Sequence, residues 1–459
     1  NQFRLVLPRM FDLFAYLNCS HSPTVEDVWQ LSDHTQPDGY TDVAFWTDLA
    51  ELLEDGGFTG MFFADAYNVA NNYQGSIDPT VRRGEQLPEN DPLPLLSAVA
   101  AVTERIGLVT TASTSLYPPY LLAKKLSTID DLTDGRVGWN VVTSAGQLEF
   151  ENVVGEYVPH DERYERADEF MRVCYALWED SWEADAILRD PETGTFADPN
   201  AVSFIDHDGA AYEVPGPHIC APTPQRTPVL FQAGQSDSGR AFAARHAEAL
   251  FSFHLSRTAF QSYARDVREQ MRATGRSRDQ YRLYPAVTPY VASTTAAAER
   301  FHREVVETIL PETGLVRLSN HLNHDYSRYD RDAPLEAIDA DGIRGALQAF
   351  VADDRDWTVG EAAIRYARYP TAELVGTPET VANELERWGE AGADGFVIMG
   401  PVVPRTFRAV CTDLVPELHA RGHVPSRNTL DGTQPQTLRE RLFGSSLLPE
   451  SHPGRVDPD

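Results

Sequence analysis

Lysine is almost absent from this 459-residue chain. Lys124 and Lys125 are the only two, and arginine supplies the rest of the 39 basic residues. Against them stand 69 acidic residues, for a net charge of −30. A surface so negative repels nucleic acid and anionic membrane, and both are excluded as partners. An acidic, lysine-poor chain fits a salt-adapted or GC-rich source and says nothing about chemistry. Cysteine is scarce as well: Cys19, Cys174, Cys220 and Cys411 lie far apart, with no CxxC pair. That excludes a disulfide scaffold and a paired-thiol motif, and predicts reduced thiols in a cytoplasmic protein. No apolar run approaches about 18 residues, and the opening Asn1-Gln2-Phe3-Arg4 does not read as a signal peptide. Walker, GxSxG and HExxH motifs are lacking too. Thr133–Gly138 has only two spaced glycines and precedes a strand, so it is not a dinucleotide fingerprint.

What is present is a large apolar fraction, 42% with 10% aromatic, in a repeating order of short strands and amphipathic helices. The stretch Gly135–Ser144 reads as a turn, a buried strand and a polar end. Val137, Val141 and Val142 are β-branched, and Asn140 interrupts them with an amide. Before it the pattern predicts helices over 40–55, 94–105 and 118–132, and strands over 58–65 and 106–111. After it come a helix over 161–182 and strands over 229–234, 249–254, 283–292 and 395–400. Helices over 237–247, 258–274, 295–309 and 404–421 alternate with them, and Thr377-Pro378 opens another with a cap and a first-turn proline. Counting gives about eight strand–helix units, which predicts an α/β chain folded as a TIM (β/α)8 barrel, a single domain over 1–459. An open doubly wound sheet is the alternative. Insertions are expected at about 66–94, 185–227 (with a hairpin near Asp208-Gly209) and 311–370. A polar C-terminal extension, 422–459, is expected to wrap the outside or a neighbour.

Several residues could carry chemistry. Polar groups at strand ends of a barrel point into its mouth, which singles out Asn140 and Asp65. Asp65 could serve as a base, a metal ligand or an acceptor, and equally as a helix cap. Gln232-Ala233-Gly234-Gln235-Ser236-Asp237-Ser238-Gly239-Arg240 runs from a strand end through a serine-rich turn into a helix. Such a helix start suits a phosphate, although a capped helix needs no ligand. His160 and Tyr164, four apart, share one face of a helix start and could donate to an anion or stack on a ring; taken alone, an exposed amphipathic surface is the better explanation. His21, His254, His321 and His324 fall in loops or at strand ends. The last two have helical spacing, but no third ligand accompanies them, so a metal-dependent hydrolase is a weak reading.

Taken together and in order, these segments resemble the bacterial luciferase-like flavin monooxygenases. The branch they resemble contains nitrilotriacetate monooxygenase component A, dibenzothiophene-sulfone monooxygenase and long-chain alkane monooxygenase. The likeness runs from about Tyr40 to Gly422. It is carried by Phe62-Phe63-Ala64-Asp65, Ala100–Gly107, Leu132–Ser144, His160–Tyr164, Gln232-Ala233-Gly234 and Ala243–Glu248. The resemblance implies a TIM barrel with insertions, reduced FMN (FMNH2) held at the barrel mouth, and a separate NAD(P)H:flavin reductase that supplies it. It further implies reaction of the reduced flavin with O2 to a C4a-hydroperoxide that inserts one oxygen into a small organic substrate. By resemblance, Asp65, Ser113, Asn140 and Ser144 flank the flavin ring and ribityl chain, and His160, Tyr164 and Ser236 hold the chain and phosphate. Relatives usually show two serines after Gln-Ala-Gly; here Gln235 stands first. An aromatic that several relatives carry near Ala70 is also lacking. His21, His321 and His324 are candidates for proton transfer or for supporting the oxygen chemistry, and Gln86 is a candidate for the substrate side. The segments 66–94 and 311–370 are the expected lids, and the expected assembly is a homodimer or homotetramer. A deazaflavin (F420)-dependent oxidoreductase and a non-catalytic flavin-binding paralogue are the alternatives within the same superfamily.

Overall fold

The computed structural model describes residues 9–22, 25–234, 236–335, 356–425 and 436–455, leaving aside the side chain of Asp161. Gln235, part of the 311–370 segment and part of the C-terminal extension therefore lie outside the described residues. In chain order the strands are β1 (Asp12–Asn18), β2 (Gly60–Ala64), β3 (Gly107–Ser113), β4 (Val137–Val142), β5 (Ile187–Asp190), β6 (Thr195–Ala197) and β7 (His207–Asp208). They continue with β8 (Glu213–Val214), β9 (Val229–Gln232), β10 (Ala249–Phe253), β11 (Arg282–Val291), β12 (Ala372–Gly376) and β13 (Gly395–Met399). Nine of them form one sheet in the order β10-β9-β4-β3-β2-β1-β13-β11-β12, and β10 also pairs with β11. That extra pairing leaves β12 outside a closed ring of eight parallel strands, and the fold is a TIM barrel.

Contacts divide the chain into two compact units, the first drawn from Asn1–Ile106, Phe251–Asp266 and Arg282–Thr433, the second from Gly107–Leu250, Val267–Tyr281 and Gln434–Asp459. In the second unit β3, β4 and β9 are parallel neighbours, with Thr111 opposite Asn140 and Asn140 opposite Phe231. Period-2 alternation sends Val137, Trp139 and Val141 to one face of β4 and Asn140 to the other. Trp139 is wholly buried, its ring 6.0 Å from Phe170 and 6.2 Å from Trp178 on the helix side. Its indole N–H donates to the Ala112 carbonyl at 3.0 Å, so its burial leaves no polar group unpaired. The chain enters β4 through Gly135, whose φ of +80° suits a residue without Cβ. The backbone N–H of Leu438, at the start of the helix Leu438–Phe443, donates to the Gly135 carbonyl at 2.8 Å. The described part of the C-terminal extension is thus docked on this unit, with Arg439 bidentate on Glu248 at 2.8 and 2.9 Å, both fully buried.

In the first unit β1 pairs with β2 and β13, and β11 with β13 and β12, all parallel. Helix boundaries follow their caps. Asp42 accepts from Ala44 to open Val43–Asp55, and Thr377 accepts from Thr380 to open Pro378–Ala391, as its sequence signals. The helix expected over 94–105 instead spans Pro92–Ala100. Asp91 caps it early, and Glu54 captures the N–H groups of Glu104, Arg105 and Ile106 at 2.7–3.1 Å, which ends helical bonding there. The helix expected over 161–182 is α-helical over His160–Tyr175 and widens to a π turn over Ala176–Asp180. β12 was not expected. It is a short strand of alternating burial that forms because β11 is long enough to offer an edge beyond β13. The region 185–227 carries two hairpins, β5–β6 and β7–β8, the second at the expected Asp208-Gly209.

Candidate functional site

The second unit gathers six of the candidate residues. On the Asn140 face of β4, Asn140 donates through Nδ2 to the Thr111 hydroxyl at 2.9 Å, while its Oδ1 is buried with no partner among the described residues. A buried acceptor left unpaired costs free energy comparable to a lost hydrogen bond, so the atom is poised for a donor. Beside the strand end, Ser144 donates to the buried Ser113 hydroxyl at 3.0 Å. Ser144 has φ +54°, an uncommon conformation for serine, and the Arg163 guanidinium holds its carbonyl. Arg163 in turn lies over the rings of Phe150 and Tyr157, 5.8 Å from each.

Ser236 caps the helix Asp237–His246, accepting from the Gly239 N–H at 3.1 Å. A Cβ on Gly239 would lie 2.9 Å from Ser236 Oγ and 3.0 Å from Tyr164 Oη, so only glycine lets those two hydroxyls converge on this helix start. The His160 ring meets Tyr164 edge-on at 5.3 Å. His160, Tyr164 and Ser236 are therefore brought into one cluster at a helix N-terminus, where peptide dipoles favour an anion. Arg240 ion-pairs with Asp237 at 2.5 Å, so its charge is partly neutralised. Gln232, at the end of β9, keeps a buried Oε1 without a partner among the described residues; its strand-end position and its place in the Gln232-Ala233-Gly234 run were the sequence signals for it. A cavity of about 930 Å³ in this unit, lined by Asp168, Arg172, Arg245, Arg276 and Arg455 among others, contains none of the candidate residues.

The first unit holds the remaining candidates. Asp65, just past β2, accepts from the Ala66 N–H at 3.0 Å, and its charge helps to raise the Cys19 thiol and the Glu89 carboxyl. His21 lies 2.6 Å from the Gly84 carbonyl. His321, on the helix Pro311–Leu322, meets Gln86 Oε1 at 3.1 Å and Glu85 at 3.6 Å. Gln86, at φ +47°, donates through Nε2 to the Tyr369 hydroxyl at 3.3 Å, and Tyr369 meets the Tyr16 hydroxyl at 3.4 Å. Burial, helped by the nearby Arg317, lowers the His321 imidazole to about 3, so it is neutral at pH 7. His324 does not share this network: its ring stacks on Tyr329 and bonds that hydroxyl at 2.9 Å. The two histidines thus turn to different partners, and no group of three or more metal-ligating side chains occurs among the described residues. His254 is buried beside Phe260 and Tyr263, and burial lowers it to about 4.

The sequence reading missed the buried charges behind this network. Arg317 ion-pairs with Glu26 and lies 4.2 Å from the centre of the Tyr369 ring. Glu85 accepts from Asn320 at 2.8 Å and Glu89 from Asn18 at 3.0 Å. Burial raises both Glu26 and Glu89, the latter to about 8. Nothing local in the sequence marks these residues, since Arg317 and Glu26 are 291 positions apart.

Comparison with known proteins places these observations. The luciferase-like monooxygenase family model matches residues 26–395. The chain is 40% identical over 421 residues to the dimethyl-sulfide monooxygenase of Hyphomicrobium sulfonivorans, covering 90% of this chain and 87% of that protein. It is 38% identical over 424 residues to the long-chain alkane monooxygenase of Geobacillus thermodenitrificans, covering 90% of each. It is 35% identical over 424 residues to nitrilotriacetate monooxygenase component A of Aminobacter aminovorans, covering 89% and 91%. Among solved structures, DmoA from Hyphomicrobium sulfonivorans superposes with a TM-score of 0.89 at 39% identity, covering 97% of this chain and 95% of that one. The riboflavin lyase RcaE, solved with modified FMN and riboflavin, superposes at 0.87 with 33% identity, covering 97% and 98%.

Proposed function

The chain belongs to the luciferase-like monooxygenase family, and from that premise we propose that it is the oxygenase component of a two-component system that uses reduced FMN. That it is a monooxygenase follows from the family and its relatives; the reduced state of the flavin, its delivery by a separate NAD(P)H:flavin reductase and a homodimeric or homotetrameric assembly are the finer part of the reading. The carrying observation is the second unit's combination of an unpaired buried Asn140 Oδ1 with two hydroxyls converging on a helix start. A buried acceptor suits a ring N–H, and the helix start suits a phosphate. FMN offers both.

When bound, reduced FMN supplies the two electrons with which O2 is split, one oxygen entering the substrate and the other leaving as water. The protein's residues do the rest. Asn140, with Ser113 and Ser144, orients the ring, while Tyr164, His160 and Ser236 anchor the phosphate end. Gln86 fixes the His321 imidazole, which burial keeps neutral, so His321 serves as a hydrogen-bonding group beside the oxygen chemistry rather than as a base. His21 and Asp65 sit beside the same loop segments and complete the candidate set. The segment 66–94 and the described part of 311–370 serve as lids that exclude water. Anaerobic titration tests the reading: the protein should bind FMNH2 more tightly than FMN, and oxygen uptake with a flavin reductase should become substrate-dependent. Lack of flavin affinity in either redox state would refute it.

A further inference from the structure

The cavity of about 930 Å³ in the second unit holds none of the residues assigned above to the flavin, and its lining runs against the charge of the chain. Acidic residues outnumber basic ones 69 to 39 overall. Here Arg172, Arg245, Arg276 and Arg455 face only Asp168 and Asp180. The arginines arrive from separate segments. Arg172 lies in the last turn of the helix His160–Tyr175 and Arg245 in the last turn of Asp237–His246. Arg276 follows the helix Arg257–Ala273, and Arg455 is the last described residue of the C-terminal extension.

Arginines near helix ends often do no more than cap carbonyls or balance an acid, and that accounts for part of this set. Arg245 pairs with one oxygen of Asp168 at 2.5 Å, and His246 Nε2 meets the other at 2.8 Å. Burial lowers His246, so Asp168 and Arg245 balance each other. The other three guanidinium groups have no carboxylate partner among the described residues. Arg276 is only 5% exposed and bonds the carbonyls of Ala247 at 2.6 Å, Gln280 at 2.9 Å and Ala244 at 3.4 Å. Those bonds use three of the five N–H groups of a guanidinium and none of its charge. Glu248, the acid whose field reaches Arg276, is already held through both oxygens by Arg439. A buried charge without a counter-ion is costly, so Arg276 is poised for an anion. Arg172 and Arg455 stand exposed on the same lining. Each makes a single bond of 3.4 Å, to the carbonyls of Asp168 and Leu448.

We infer that this cavity is a further ligand site, for a small organic polyanion that bears a phosphate ester or several carboxylates, held by buried Arg276 together with exposed Arg172 and Arg455. Guanidinium forks match the oxygens of phosphate and carboxylate in pairs. With Asp168 balanced, three guanidinium groups against Asp180 leave an excess of positive charge for the ligand. The volume lies within the range of about 300–1,000 Å³ usual for small-molecule pockets and far exceeds a bare phosphate ion, so the charge rides on an organic body. Such a ligand joins Arg455 of the extension to Arg172 and Arg276, and its binding therefore fastens residues 451–455 in place. The site stands whether or not the barrel mouth holds flavin.

Isothermal titration of the full chain with pyrophosphate, AMP and citrate tests this, at a constant ionic strength of about 0.15 M and with acetate as the monovalent control. At least one of the three probes should bind, one per chain, about tenfold or more tightly than acetate. AMP against citrate separates the phosphate-ester source from the polycarboxylate one. The bound probe should raise Tm and slow amide exchange over 451–455. Arg172→Met combined with Arg455→Met should weaken binding about tenfold, with the circular dichroism spectrum and FMNH2 affinity unchanged. The inference is overturned by probes that bind no more tightly than acetate, by exchange over 451–455 that ignores the probe, or by affinity that ignores the double substitution. Displacement of the probe by FMNH2 would also overturn it, since the probe would then sit at the flavin's phosphate end. Absence of FMNH2 binding in the unmodified protein would instead remove the oxygenase reading and leave this site standing.

Discussion

Single atoms carry the sharpest expectations. Asn140 Oδ1 is a buried acceptor with no described partner, so Asn140→Ala, which also gives up the buried Nδ2 bond to Thr111, should leave the chain folded but weaken FMNH2 binding. One lost hydrogen bond of about 1.5 kcal/mol corresponds to roughly a tenfold rise in Kd, which an anaerobic fluorescence titration would read. Glu89 makes a different claim. Burial and the neighbouring Asp65, Glu85 and Glu26 raise it to about 8, and its Oε2 meets no described partner. Between the unfolded value near 4.5 and that folded value, the native chain holds a proton that the unfolded chain lacks. The stability this group contributes is therefore complete below about pH 4.5 and is lost as pH rises toward 8, at up to about 1.4 kcal/mol per unit. Glu89→Gln, which keeps the shape without the titration, should flatten the slope of unfolding free energy against pH between 5 and 8. Urea melts at four pH values compare the two proteins, and equal slopes would contradict the assignment.

At the scale of elements, the two segments expected as lids are fastened to each other within the first unit. Arg83 ion-pairs with Glu312, Asn72 donates to Asn323 at 2.6 Å, the Gln74 N–H donates to Asp325 at 3.1 Å, and Asn320 donates to Thr80 at 3.2 Å. These contacts make residues 72–83 and the helix Pro311–Leu322 a joined pair. Arg83→Met removes a half-buried ion pair worth up to about 1 kcal/mol, too little to unfold the chain. It should raise amide exchange over 72–83 severalfold and increase oxygen consumption uncoupled from product, while FMNH2 affinity stays constant. Exchange confined to its present rate would show that the two segments do not depend on this tie. Elements of this kind were legible in the sequence where they carry local signals. The β4 alternation, the Thr377 cap and the Ser236 turn all announce themselves within ten residues. The early end of the helix Pro92–Ala100 did not, because Glu54, which sets it, lies on another helix. The pairing of 66–94 with 311–322 was equally invisible, being made by side chains some 230–250 positions apart.

For the whole molecule, the count of about eight strand–helix units was enough to anticipate a barrel, since βα repetition leaves few parallel topologies. The buried ion pairs that tie distant segments were not foreseeable. Glu26–Arg317 and Glu248–Arg439 join positions 291 and 191 apart, and neither leaves a period in the sequence. Net charge, by contrast, is read directly, and it bears on stability as a whole. At −30 the folded chain concentrates its excess carboxylates in a compact volume, and their mutual repulsion favours expansion. Salt shortens the range of that repulsion from about 30 Å at 0.01 M to about 3 Å at 1 M. The buried pairs are shielded from solvent ions and lose little over the same range, so repulsion relieved should exceed attraction lost. Thermal melts between 0.01 and 1 M NaCl should accordingly show Tm rising by several degrees, most steeply below about 0.2 M. Arg439→Met supplies the contrast. It strips the buried Glu248 of its cation and should cost about 3–5 kcal/mol at every salt concentration, lowering the whole curve without changing its shape. A Tm that falls with added salt would mean that attractive surface pairs, rather than the net excess of acid, govern the electrostatics of this barrel.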